Sequence, residues 1–297
     1  MKRRDFFKSL SVIPATLYLG NRMLAFPPAD AGAPVVKVRG DSPYRNTAKA
    51  VKMLGGMGRI VKKGQTVMVK PNIGWNRNVE QAACTHPEVV RALVDLAFQA
   101  GAGKVIVMDH PCNTAERTYQ RSGIEEAARK AGAEIRFPDE NRLVLYDFKG
   151  ENVQKWPVYK DFLEVDTFIN VPILKHHSSA LLTIGMKNLY GILGGRRGKL
   201  HRNMGTGIAD LANGFKVDLT VVDATRIMLR NGPTGGSLED VEKKDTVIAS
   251  TNILEADVVA TDLFGSDPLQ IPFLVKGHEK GMGNIDLKKI DLRTAAA

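Results

Sequence analysis

The chain has 297 residues, 43% of them hydrophobic, which is enough for one large α/β domain or two lobes sharing a core. Its net charge of +10 comes with no arginine-rich tract, aromatic RNA-binding signature or zinc-finger spacing, so nucleic acid is set aside in favour of an anionic ligand. Two cysteines, Cys84 and Cys112, are too few for a disulfide scaffold or a self-contained iron–sulfur cluster.

The N-terminus reads as a twin-arginine export signal occupying residues 1–33 with its linker. Arg3 and Arg4 precede Phe6-Phe7-Lys8, an apolar run from Leu10 to Leu19 follows, and small residues cluster at Ala25, Ala31 and Ala33. About ten apolar residues containing Pro14 fall well short of the ~20 that span a bilayer, so cleavage is expected rather than anchoring. The reading implies a periplasmic or extracytoplasmic destination, the export machinery as a transient partner, and a mature chain, still basic, that sits in no membrane. Export in the folded state also raises the prior weight of a cofactor.

From residue 34 to 297 a single α/β domain, of one body or two lobes, is expected. Strand Thr66–Lys70, a helix over 87–100, strand Lys104–Met108, a helix through Ile124 to Ala131 and strand Ala133–Phe137 alternate as βαβαβ, which calls for a parallel sheet. Thr85-His-Pro-Glu88 and Ser122-Gly-Ile-Glu125 match the capping box at helix starts. Residues 141–162 form a short antiparallel insertion from Leu143–Asp147 and Val153–Val158. The pattern resumes with strand Thr167–Leu174, a glycine-rich basic stretch over 175–207, a short helix to Asn213, strands Asp218–Asp223 and Thr246–Ser250, and helix Leu254–Phe264. The predicted fold is a mostly parallel, Rossmann-like sheet with helices on both faces and a small inserted β element. Its ligand would lie at the carboxyl ends of the strands.

Four strand-end loops carry unusual polar groups: residues 72–78, 109–114, 175–179 with Lys187-Asn188, and 223–225 with 231–236. Taken singly, such side chains commonly serve the local backbone; their joint occurrence points to a shared pocket. Lys175, His176, Lys187 and Asn188 are the candidate catalytic centre, with a histidine moving protons and lysines stabilising negative charge. Asn72, Arg196, Arg197, Lys199 and His201 are candidate ligand-binding residues. The cations of Gly191-Ile-Leu-Gly-Gly-Arg-Arg-Gly-Lys-Leu-His-Arg202 suit carboxylate or phosphate, and the loop from Gly194 to Arg202 is expected to act as a lid, mobile when empty and ordered over a bound anion. It is no Walker loop, because Leu193 and Leu200 stand where a glycine and a Ser or Thr are required.

A metal ion is the sharpest cofactor reading, through Asp109, His110, Cys112 and Asp223. The spacing contains no paired-ligand motif, and His176 and His177, adjacent on an extended chain, cannot aim at one point. For Cys84 and Cys112 three readings stand: a disulfide, two inert thiols, or soft ligands shared with another chain.

The ordered set Val69-Lys-Pro-Asn72, Thr85-His-Pro-Glu-Val-Val90, Gly101-Ala-Gly-Lys-Val-Ile-Val107, Asn170-Val-Pro-Ile-Leu-Lys-His176, Met186-Lys-Asn-Leu-Tyr-Gly191, Asp218-Leu-Thr-Val-Val-Asp223, Gly232-Pro-Thr-Gly-Gly236 and Asp257-Val-Val-Ala-Thr-Asp262 resembles the bacterial and archaeal domain-of-unknown-function family 362. The resemblance runs from about residue 36 to 266. It implies an α/β domain, sometimes joined to ferredoxin-type iron–sulfur modules, and therefore a redox protein as partner. This chain lacks the Cys-x-x-Cys-x-x-Cys run of cluster-bearing members. The resemblance names no reaction. An exported enzyme acting on a small anion, a non-catalytic metal or cofactor carrier or accessory subunit of a periplasmic redox complex, and a nucleotide-binding regulator all stand as readings.

Overall fold

A computed structural model describes residues 32–297, so the export signal lies outside the described residues up to its last two positions. The elements in chain order are β1 (Val35–Arg39), α1 (Pro43–Met53), β2 (Thr66–Pro71), α2 (Pro87–Gln99), β3 (Lys104–Val107), α3 (Ala115–Arg121), α4 (Ile124–Lys130) and β4 (Glu134–Ile135). Next come β5 (Leu143–Asp147), β6 (Lys155–Tyr159), β7 (Thr167–Val171), β8 (Ile173–His177), β9 (Leu181–Thr183), α5 (Gly185–Asn188) and α6 (Met204–Gly214). The chain closes with β10 (Leu219–Met228), β11 (Val241–Ser250), α7 (Ile253–Phe264), α8 (Pro272–Glu279) and β12 (Leu292–Ala296).

The main sheet has the order β12-β1-β11-β10-β7-β2-β3-β4, with β8 pairing β10 and carrying β9. From β10 through β7, β2 and β3 to β4 every pairing is parallel, while β11 runs antiparallel to both β10 and β1. β5 and β6 form the expected antiparallel insertion as a separate two-stranded sheet. The mixed α/β class, mostly parallel, is the one the alternation of elements predicts.

Both faces are covered because the central strands are apolar on both sides. Along β2, Val67 and Val69 enter the core under α1 and α2, whereas Met68 between them enters the core beneath α6, α7 and α8. Helix α7 has Leu254, Ala256, Val258, Val259 and Ala260 all fully buried, so its near-continuous apolar sequence reflects burial on every side. Its ends are set chemically: Asn252 accepts from the Glu255 amide, and Gly265 closes the helix at φ 88°, where a side chain would be strained.

Several boundaries differ from the expectation. The single strand predicted over Thr167–Leu174 is two strands, β7 and β8, broken at Pro172. Proline has no amide to give the ladder, and its carbonyl instead accepts from Asp223 N, 2.8 Å away. Neither expected capping box forms. His86 caps α2 by accepting from Glu88 N, which frees Thr85 to donate to Val171 O at 2.7 Å; α4 follows Gly123 in a left-handed conformation with no side-chain cap. α1, α3, α8, β1 and β12 lie outside the sequence expectation; α3 spans only two turns and β12 is an edge strand, so these two carry little periodicity of their own.

The chain leaves β2 for β3 and β4 on one side, then returns to β7 and β10 on the other. The connections therefore diverge between β2 and β7, and a parallel sheet leaves a crevice at the carboxyl ends of its strands at such a place.

Candidate functional site

The crevice is a cleft of about 330 Å³ lined by residues that follow β2, β3 and β8 and by the α5 segment. Its foot is an ion pair. Lys70 Nζ stands 2.7 Å from Asp109 Oδ1, with the side chains 0% and 3% exposed. The second carboxylate oxygen of Asp109 accepts from Ile73 N at 2.7 Å, and Tyr119 Oη holds both Asp109 N and Asp109 O. Gly191 is forced by this packing, because a Cβ there would lie 1.9 Å from Asp109 Oδ1 and 2.6 Å from Lys70 Nζ. Burial depresses the Lys70 ammonium, against the pull of Asp109.

Above the pair stand three cations, Lys175, Lys187 and Arg197. Among the described residues none of them forms an ion pair with a carboxylate. Lys175, on β8, gives all three ammonium hydrogens to neutral oxygens: Ala83 O at 2.5 Å, Pro233 O at 3.1 Å and Asn72 Oδ1 at 3.3 Å. Arg197 spends both terminal nitrogens on His110 O, Tyr190 O and Pro111 O, with Cys112 Sγ 3.6 Å away. Each therefore contributes positive potential to the cleft more than free donors. Lys187 is different. It is 8% exposed, its Nζ lies 3.8 Å from the centroid of the Tyr190 ring, and no hydrogen-bond acceptor among the described residues holds it. Burial first, then neighbouring Arg197, brings Lys187 down to about 7; burial brings Lys175 down to about 8.

Of the three histidines that line the cleft, His177 and His110 are opposite tautomers. His177 Nδ1 accepts from Ser179 N and Ala180 N, each at 3.2 Å, so its proton sits on Nε2. Burial and then Lys187 hold His177 down to about 3, so it is a neutral donor. His110 Nδ1 lies 2.7 Å from Leu193 O, a contact that only a protonated Nδ1 can make, which leaves the lone pair on Nε2. Burial and Arg197 keep His110 below its ordinary value as well. His177 can thus donate into the cleft and His110 can accept.

A chain of amides fixes the floor. Asn72 donates to Asn188 Oδ1 at 3.0 Å, Asn188 donates to Asn170 Oδ1 at 2.9 Å, and Asn170 donates to Gly185 O at 2.9 Å. The short helix carrying Lys187 is gripped from below by Asp257, whose carboxylate oxygens accept Gly185 N at 2.6 Å and Met186 N at 2.7 Å. Burial pushes Asp257 up to about 8 even though both amides pull the other way.

Of the predicted site residues, the structure brings together Lys175, Lys187, Asn188, Asn72, Arg197, His201, Asp109, His110 and Cys112. It does not bring His176. Successive side chains on β8 alternate, so His177 lines the cleft while His176 turns away and accepts from Gly232 N at 3.1 Å. Arg196 and Lys199 are exposed and do not line the cleft. The segment expected as a lid forms a 3₁₀ helix over Arg197–Asn203, anchored by buried Leu200 and by the carbonyl contacts of Arg197.

Asp223 is spent on His86 N and on Thr225, and Asp109 on Lys70 and Ile73 N. Among the described residues no three His, Cys, Asp or Glu side chains converge as a metal site. Cys84 and Cys112 are free thiols, the first buried and the second exposed. A thiol-reactive disulfide reagent is expected to label one cysteine per native chain, Cys112, and two after denaturation, since burial also pushes the Cys84 thiol up. Equal labelling of both in the native state would contradict this arrangement.

Sequence reasoning missed Lys70, Asn170, His177, Tyr190 and Asp257. Lys70 and Asn170 had a legible signal, a polar residue within an otherwise apolar central strand. Asp257 lay hidden in a helix whose face could not be assigned from sequence.

Fold and cleft together define an α/β domain with a crevice at the carboxyl edge of its mostly parallel sheet. The chain belongs to the domain of unknown function family DUF362, whose model matches residues 67–262. A thylakoid-associated protein of Synechocystis is 29% identical over 238 residues, covering 77% of this chain and 72% of that protein. Two solved structures show distant likeness. A Thermotoga maritima protein has a TM-score of 0.41 at 12% identity over 75% of this chain, and the lactate racemase apoprotein of Thermoanaerobacterium thermosaccharolyticum has 0.45 at 10% identity over 80%. The alignments span 58% of the length of each of these two chains. Among the described residues no helix is long and apolar enough to cross a membrane.

Proposed function

We propose that this protein binds a small organic anion in the cleft between Lys175, Lys187 and Arg197. One observation carries the reading: three cations line one crevice, and among the described residues no carboxylate pairs with any of them. Uncompensated buried charge is costly, so a fold that concentrates it at a ligand-sized opening gains from a negative occupant. Lys187 supplies the free donors, His177 Nε2–H and the second amide hydrogen of Asn72, held in place by Asn188, orient the ligand, and Lys175 and Arg197 supply the field.

The test is calorimetric titration with carboxylates and sulfate, anions whose own charge is constant near neutrality. Binding holds Lys187 as an ammonium and so takes up a proton. Affinity is expected to be level below pH 7 and to fall above it, at up to about tenfold per pH unit where one proton is linked. Affinity that did not change between pH 6 and pH 9 would remove Lys187 from the contact, and no binding by any anion would remove the proposal.

A further inference from the structure

Resting on the anion reading, we infer that Lys187 is a nucleophile that captures the carbonyl carbon of a short 2-oxo carboxylate as an imine. The argument starts from what the amine lacks. Lys175 has its three ammonium hydrogens and Arg197 its two terminal nitrogens committed to backbone and amide oxygens, yet Lys187, more than nine-tenths buried, has no acceptor among the described residues and meets the face of Tyr190 and the space of the cleft. A lysine meant solely to hold the fold together would be expected to have acceptors of its own. One placed in a cavity between two other cations is instead held partly as the neutral amine, the form whose lone pair attacks carbonyl carbon. Its depressed proton affinity, to about 7, agrees with that placement.

The remaining groups fit the same chemistry. The positive potential of Lys175 and Arg197 draws the carboxylate, and the Nε2–H of His177 is a neutral donor suited to the carbonyl oxygen. The nitrogen lone pair of Lys187 forms the new C–N bond while the C=O π pair moves to oxygen. Both amine protons then leave with that oxygen as water, carried in turn by the lone-pair nitrogen of His110, and the C–O bond breaks as the C=N bond forms. Nothing is oxidised or reduced. A cleft of about 330 Å³ suits an acid of a few carbons.

The experiment traps the imine. The full chain is incubated with pyruvate and sodium cyanoborohydride, and its peptides are mapped by mass spectrometry. The expected result is one carboxyethyl group on Lys187, with acetaldehyde, which has no carboxylate, giving only scattered labelling of exposed lysines. The Lys187→Arg variant, which has no primary amine at that position, should lose the adduct, whereas Lys199→Arg, at an exposed residue outside the cleft, should keep it. If propanoate raises the melting temperature of the wild-type protein but neither pyruvate, glyoxylate nor 2-oxoglutarate labels Lys187, the covalent step is overturned and the anion site stands. If no carboxylate changes the melting temperature and none labels Lys187, both readings fall.

Discussion

Asp109→Ala is expected to cost about 3–5 kcal/mol of unfolding free energy, read from urea denaturation, because it strands a buried ammonium. Lys70 has Asp109 as its ion-pair partner and Pro71 O, 3.1 Å away, as a neutral acceptor. The same substitution leaves Ile73 N without its acceptor. Asp109→Asn keeps the shape and one acceptor and should cost less. Replacing both partners, Lys70→Met with Asp109→Leu, should recover most of the loss, since a well-packed apolar pair avoids the desolvation of two charges. A single-variant cost below about 1 kcal/mol would mean that Lys70 is already neutral in the native state. Gly191→Ala attacks the same place from the other side and should destabilise by steric displacement of the pair.

Lys187→Gln should move stability and binding in opposite directions. Loss of a charged hydrogen bond to the ligand is worth about 1.5–3 kcal/mol, so anion affinity should fall about ten- to a hundredfold. Without ligand the variant should be the more stable protein. The lysine falls from an ordinary 10.5 to about 7 on folding, so its burial penalty is complete below pH 7 and fades as pH rises from 7 towards 10.5. The advantage of the glutamine variant over wild type should therefore be largest at pH 7 and below and shrink above it. A variant that lost stability and binding together at every pH would mean that Lys187 serves the fold and not the cleft.

How far the cleft was legible depended on local pattern. Lys175, Lys187, Asn188, Asn72 and Asp109 stood out because they sit beside apolar strand or helix segments, where a polar group signals either a strand end or a buried partner. The choice between His176 and His177 was not legible. Alternation says that the two face opposite ways, but only the break at Pro172 and the pairing of β8 with β10 and β9 decide which one faces inward. Arg196 and Arg197 pose the same problem: nothing local separates them, and the carbonyls that select Arg197 belong to residues 110, 111 and 190.

By itself the sequence determined the α/β class, the alternation of strands and helices and the antiparallel insertion, because each follows from hydrophobic period and from short-range chemistry. Tertiary structure decided what the carboxyl edge of the sheet contains. The Lys70–Asp109 pair joins residues 39 positions apart, and the amide chain from Asn72 through Asn188 to Asn170 joins three strand and helix ends. Asp257, 70 positions from Lys187, grips the helix that presents it. Charge balance in a buried cleft is a sum over groups that meet only when the sheet forms, so the absence of a carboxylate partner for Lys187 among the described residues is a property of the fold that no stretch of the chain carries alone.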